Sequence, residues 1–418
     1  MSMPPPSTLQ EPARTLKVAG RYEVIVAGGG IAGVAAAVAA ARAGASVCLL
    51  EKAGALGGLA TLGNVVVWLP ICDGCGRQVM GGLPEELLKL SVADLRRDNP
   101  TARFQGIPAC WRPGGDPAER RNVRYLAAFN PGAYLLALEK LAVESGIRIL
   151  YDTRVCAVRR EGGGISHVIV ENKSGRLALA AGAAVDATGD ADLCFLAGEP
   201  TVSLDSNVLS GWFYWLAGDG LHIDYLSRAF NENGTRENSE GPFFRGDDGD
   251  QVTDFLLAVR EFTRKQLAQL RAGHPDEDIQ IITPPTIPCF RMTRRLVGTF
   301  TLTTDHVHTW FDDAVGLTGD WRRPGPVYAI PWRALCGVRT RNLAAAGRCM
   351  SASGAAWDVI RAIPACALTG AIAGAGAALA VRRTGGDLQA LAVGNLQERL
   401  RQQGFLLDPA LVKPAAPE

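Results

Sequence analysis

The chain has almost no charge to spare: 43 lysines and arginines face 42 aspartates and glutamates, a balance of +1. That excludes a nucleic-acid binder working through a broad basic face. Histidine is scarce, at five residues, and only His306-x-His308 would set two imidazoles on one side of a strand. With no further ligand pair at a metal spacing, no metal is assigned, and Asp305 and His306 read instead as a helix start. The ten cysteines are scattered, several inside apolar runs. Such usage suits a reducing compartment better than a disulfide framework, so a cytoplasmic location is expected. The first twenty residues lack an apolar core and a twin-arginine pair, and no secretory signal is expected. Three successive prolines mark residues 1–19 as a disordered tail, and 406–418 read as a C-terminal tail. There is no internal repeat. One uncharged run, Ile363 to Val381, approaches the length of a membrane span. It consists mostly of alanine and glycine, which predicts a buried helix packed on a sheet and no membrane partner.

Glycine is what the chain has in excess: 48 residues, against roughly 29 at average usage. The richest cluster follows an apolar strand pattern, Tyr22–Ala27, and precedes an alanine-dense helix over 31–43. A second apolar strand, Val47–Glu51, completes a strand, turn, helix, strand unit. Gly28, Gly30 and Gly33 occupy the G-x-G-x-x-G positions. The first permits the tight turn, the second lets backbone approach a pyrophosphate, and the third lets helix and strand pack closely. Glu51 ends the second strand, where a carboxylate accepts ribose hydroxyls and repels a 2′-phosphate. Gly57 and Gly58, the segment Asp186–Asp192 (DATGDAD) and the late Gly347–Gly354 follow in order.

These motifs resemble an FAD-dependent oxidoreductase of the two-dinucleotide-binding superfamily. More narrowly, GGG-x-A-G, LLEK, GG-x-A-T, DATGDADL and AGR-x-x-S-A are similar to the group sharing the flavin core of heterodisulfide reductase flavin subunits, here without their iron–sulfur cysteine runs. The resemblance spans about residues 22–404 and implies bound FAD. It assigns Gly28, Gly30, Ala32 and Gly33 to the pyrophosphate and Glu51, with Lys52 beside it, to the adenosine ribose. Gly57, Gly58 and Thr61 fall near the ribityl–pyrophosphate side and Val155 near adenine. Thr188 and Gly189 close the adenosine end, and Gly347 and Arg348 lie near the ribityl chain. Arg361 and Asp358 either hold the pyrimidine end of the flavin or cap the turn before the helix at 363. The chain departs from the group in having Gly354 and Ala355 where His-Glu is common, and Gly319-Asp320-Trp321 where a D-x-H motif is common.

Beyond the flavin, Cys72-x-x-Cys75 reads as a redox dithiol, half of a metal site, or two thiols lining a pocket. Arg291, Arg294 and Arg295 read as a clamp for a substrate carboxylate or as a solvated strand face, with Arg294 the candidate catalytic residue among them. The expected fold is α/β: a Rossmann-type FAD-binding domain (20–200 and 331–405) with an inserted mixed α+β substrate domain (201–330). The expected function is hydride transfer between flavin N5 and a small organic substrate. A flavin monooxygenase or an electron-transfer subunit is the alternative. No second G-x-G-x-x-G lies mid-chain, so the external electron donor or acceptor visits the same pocket or docks from outside.

Overall fold

The computed structural model describes residues 8–415. Its first unit is β1 (Lys17–Ala27), α1 (Ile31–Arg42) and β2 (Val47–Leu50). β1 and β2 run parallel with Val24 opposite Val47. Alternate side chains of β1 enter two different cores. Val24 and Val26 face the alanines of α1, whereas Ile25 and Ala27 meet Cys48, Leu50 and Val170. Burial on both faces is why this strand reads as an unbroken apolar run.

A small antiparallel pair, β3 (Val67–Trp68) and β4 (Ala127–Ala128), stands apart from the main sheet. Helices α2 (Leu83–Ser91) and α3 (Pro131–Glu144) flank α1. The sheet then gains β5 (Arg148–Leu150), β6 (Arg154–Glu161), β7 (Gly164–Asn172) and β8 (Gly175–Asp186). Its order is β5-β2-β1-β8-β7-β6. The patterns at 176–180 and 183–187 read as two strands; they are one, β8, whose first half pairs antiparallel with β7 while the whole strand runs parallel to β1.

After α4 (Asp192–Leu196) come β9 (Thr201–Ser203), β10 (Ser210–Ala217) and β11 (Gly220–Ser227). The long α5 (Gly249–Gly273) buries Phe255, Val259, Thr263 and Leu267 along one stripe, the spacing of an amphipathic helix. β12 (Gln280–Thr283) joins β10 and β11 in a three-stranded sheet, and β13 (Arg294–Leu296) pairs with β9. The pattern over Arg294–Thr304 reads as one half-exposed strand; the strand stops at Leu296. His306 accepts the Thr303 N–H through Nδ1 at the start of a short 3-10 turn, as its sequence context suggested.

The hairpin β14 (Ala314–Gly319) and β15 (Val327–Pro331) packs on the last large helix and shares its core. A domain boundary at 330 thus cuts through β15. β16 (Leu343–Ala345) returns to the main sheet beside β8. Helices α6 (Gly354–Ile360), α7 (Ile363–Thr384), α8 (Val393–Gln402) and α9 (Pro409–Val412) complete the chain. α7 is long and apolar enough to cross a membrane by length and composition, with mean hydropathy 1.7, yet 83% of that window is buried inside the protein. α1 covers it. A Cβ on Gly370 would lie 2.1 Å from the Ala32 carbonyl oxygen, and one on Gly374 1.9 Å from that of Ala36.

The inner ends of both expected tails are tied to the fold. β1 starts at Lys17, pairing with Leu177, because main-chain hydrogen bonds to β8 hold it even where its side chains are exposed. At the other end Val412 is buried, Arg77 donates to the Lys413 carbonyl at 2.8 Å and His308 Nδ1 bonds the Val412 carbonyl at 2.6 Å. Residues 1–7 and 416–418 lie outside the described residues.

Candidate functional site

Three glycine-bearing loops converge where β1 meets α1. Gly28 has φ +98°, and a Cβ there would strike the Ala187 carbonyl oxygen at 2.4 Å. Only glycine fits this turn. Gly33 lies so close to the turn that a Cβ would sit 1.7 Å from the Gly28 oxygen. Gly30, the N-cap of α1, has open space where a Cβ would be, and no side chain caps the helix or supplies a negative charge in its first turn. Unpaired N–H groups and the positive helix end make that opening an anion site.

The second loop bonds to the first. The Gly57 N–H donates to the Gly29 carbonyl at 2.8 Å, and a Cβ on Gly58 would lie 3.1 Å from the Gly30 Cα. Thr61 donates to the Leu56 carbonyl at 2.6 Å and so holds this loop in shape. Glu51, only 8% exposed, accepts the Gly29 N–H at 2.6 Å and the Ala53 N–H at 2.7 Å. Its carboxylate thus stands beside the dinucleotide turn, with lone pairs left for hydroxyls. Asn64, whose Nδ2 has no partner although the residue is buried, follows in the same loop. Sequence reading missed it, since a lone asparagine carries no motif.

The third wall is the segment from Asp186 to Asp192. Buried Asp186 accepts the Thr188 N–H and hydroxyl through Oδ1 and the Cys194 N–H through Oδ2. Arg348 Nε donates to the Gly189 carbonyl at 3.0 Å, and its Nη2 meets Asp190 at 3.3 Å. Gly347 donates to Thr369 Oγ1 on α7 and faces the Ala32 Cβ. The fold therefore gathers Gly28, Gly30, Ala32, Gly33, Glu51, Gly57, Gly58, Thr61, Thr188, Gly189, Gly347 and Arg348 around one opening. Lys52 is exposed and its charge reaches Asp192. Burial, with the charges of Asp190 and Asp186, pushes the Asp192 carboxyl up to about 6. Val155, on β6, is partly buried against the core that includes Cys48 and Leu50, two residues after Thr153, whose N–H bonds the Glu51 carbonyl.

The remaining candidates lie elsewhere. Arg294 is no substrate clamp: its Nε donates to the Asp190 carbonyl at 2.9 Å, its Nη2 to Asp192 at 2.6 Å, and the residue is 7% exposed. It ties β13 to the third loop. Arg295 is equally buried, over the Trp357 ring, so neither forms a solvated face. Cys72 is buried with its sulfur accepting the Tyr125 N–H, and burial pushes its thiol up. Asp73 accepts the N–H groups of Cys75 and Arg77, which fixes the C-x-x-C loop against the end of β14 and the C-terminal segment. All ten cysteines are free thiols, and no metal-ligand cluster occurs among the described residues. Arg361 caps α6 and pairs with Asp358 at 2.6 Å. Its carbonyl accepts the Cys366 thiol, whose sulfur stands 3.3 Å from the Gly347 Cβ position.

The family described as FAD dependent oxidoreductase matches the chain over residues 23–207 and 247–400. Among solved structures, the chain is similar to a geranylgeranyl bacteriochlorophyll reductase-like protein from Thermoplasma acidophilum, at 13% identity and TM-score 0.47, covering 92% of this chain and 84% of that one. It is also similar to a p-nitrophenol 4-monooxygenase from Pseudomonas putida DLL-E4, at 10% identity and TM-score 0.45, covering 92% and 85%. A flavocytochrome c3 fumarate reductase in an open conformation matches at 15% identity and TM-score 0.39, covering 86% and 78%. No curated protein matches.

Proposed function

Because the chain belongs to the family of FAD dependent oxidoreductases, we propose that it moves a hydride between its FAD and a small organic molecule. FAD supplies the redox chemistry. The observation that carries this reading is the opening at Gly30, edged by Gly58 and Gly347 beside an uncapped helix end. The residues suit a dinucleotide there. N–H groups at the start of α1 bind its pyrophosphate, Glu51 accepts its ribose hydroxyls, and Asn64 Nδ2 gains the acceptor it lacks. Lys52, Thr61, Val155, Thr188, Gly189 and Arg348 line the rest of its path. The division of labour is a cofactor domain over 20–200 and 331–405 and an inserted substrate domain over 201–330, shifted so that the β14–β15 hairpin stays with α7. A cytoplasmic setting suits ten free thiols.

The test is direct. Purified protein should be yellow, release FAD on denaturation, and lose its flavin absorbance without oxygen when the right metabolite of a panel is added. Release of FMN, or a folded protein that takes up no flavin, overturns the assignment. Substrate-dependent oxygen uptake that yields a hydroxylated product replaces the hydride reading with a monooxygenase.

A further inference from the structure

Where the α6–α7 junction meets the loop over 228–241 and the end of β14, Arg291, Arg322, Arg361 and the more exposed Arg323, which meets Asp320 at 3.5 Å, crowd together with three carboxylates. Arg322 meets Asp320 at 2.8 Å, Glu232 at 2.6 Å and Asp358 at 3.6 Å. Arg361 meets Asp358 at 2.6 Å. Among the described residues Arg291 has no ion pair within 4 Å, although the charge of Asp358, whose Oδ2 has no hydrogen-bond partner, reaches it. The Arg291 Nη2 donates only to the hydroxyls of Tyr225 and Ser227. Phe230 links the two arginines: the guanidinium carbons of Arg291 and Arg361 lie 4.3 and 5.7 Å from its ring centre. Burial first, and then the charge of Arg361, work against the protonated form of Arg291, outweighing the favourable contact with Tyr225 and the charge of Asp358. A half-buried cation with no direct ion pair is costly. Beside it lies a cleft lined by Ser206, Asn207, Phe230 and Gly234, with room for about one oxygen atom.

We propose that Arg291 and Arg361, bridged by Phe230, recognise the carboxylate of a small organic acid, which would make such an acid the substrate class of the reaction proposed above. The carboxylate supplies the direct ion pair that Arg291 lacks, one oxygen filling the cleft, and a planar guanidinium matches it with two parallel hydrogen bonds. Arg361 thereby belongs to the substrate rather than to the cofactor. The subsite adjoins the cofactor opening through Cys366, which touches both Arg361 and the Gly347 position. The proposal takes its meaning from the hydride-transfer reading, but the binding it asserts is measured separately.

The measurement is calorimetric titration of the FAD-loaded protein with acetate, benzoate and succinate, each against its amide, and with inorganic phosphate. At least one acid should bind about tenfold more tightly than its amide. Arg291→Gln should abolish that preference with the FAD content unchanged, and Arg291→Lys, which keeps the charge and spares the fold if the glutamine variant does not, should weaken binding several-fold. Equal affinity for acids and amides, unaltered binding in the Arg291 variants, or phosphate binding more tightly than every acid overturns the proposal. Acid binding that persists in a protein whose flavin no metabolite reduces would instead sink the hydride reading alone.

Discussion

Single side chains near the opening do two jobs at once. Glu51 holds Gly29 and Ala53 in place as well as presenting lone pairs to a ribose. Glu51→Ala should therefore cost about 1–3 kcal/mol of FAD affinity and also lower the melting temperature of the FAD-free protein, which calorimetry resolves. A variant that loses affinity with an unchanged FAD-free melting temperature would show that the two backbone contacts matter little. Cys72 and Cys75 are the opposite case, conspicuous in sequence and confined in structure. The Cys72 thiolate is disfavoured by burial, partly offset by the Tyr125 N–H, and thiol exchange needs a thiolate. Dithionite titration should accordingly consume about two electrons per FAD in both the wild type and Cys75→Ser. Uptake of about four by the wild type alone would make the pair a redox partner.

Among the elements, the contact between α1 and α7 sets the geometry of everything at the opening. α7 carries Thr369, which accepts the Gly347 N–H, and α1 carries the Gly30 N-cap. Their backbones meet because Gly370 and Gly374 have no side chains to hold them apart. Gly374→Ala would press a methyl group onto the Ala36 carbonyl and should cost about 1–3 kcal/mol of stability, with weaker FAD binding as α1 shifts. Gly394→Ala on α8, where a Cβ meets nothing within 4 Å, is the control and should be neutral or stabilising by up to about 1 kcal/mol. Equal effects of the two substitutions in thermal melts would deny the close approach its importance.

The whole molecule's response to pH follows from groups pushed in opposite directions. Asp192 is raised from its ordinary 3.8 to about 6 by burial and then by Asp190 and Asp186. Its contribution is fully present below 3.8 and is lost as pH rises through about 6. The effect is softened by the 44% of its side-chain surface open to solvent. Asp320 and Glu85 are pushed up by burial but more strongly down, the first by Arg322 and the second by Lys89, Gln78 and Tyr125. Their contribution is present above their ordinary values and is lost as pH falls through the depressed ones. Burial also raises Cys48 and Cys289 to about 12, so stability is lost again above their ordinary 9.0. The melting temperature should rise from about pH 7 to about pH 5, then drop in stronger acid. Asp192→Asn should flatten the first part of that curve and leave the acid limb intact.

Residues 22–51 specify their own structure, since each feature of that unit is local: an apolar strand, a turn only glycine can make, an alanine helix and a terminal carboxylate. The α/β class, the order of the cofactor loops and the stripe on α5 are legible for the same reason, because periodicity and turn chemistry act over a few residues. Long-range pairing is not local. Arg291, Arg294 and Arg295 stand within five positions of one another, and sequence offered them one shared role. Tertiary structure separates them: Asp190 and Asp192 occupy Arg294, Trp357 covers Arg295, and Arg291 donates to the hydroxyls of Tyr225 and Ser227. The two ends of the chain illustrate the same limit, since β8 recruits Lys17 and the carbonyls of α9 are held by Arg77 and His308. Which charge stays unpaired, and which tail docks, depends on partners far away in sequence that no local pattern encodes.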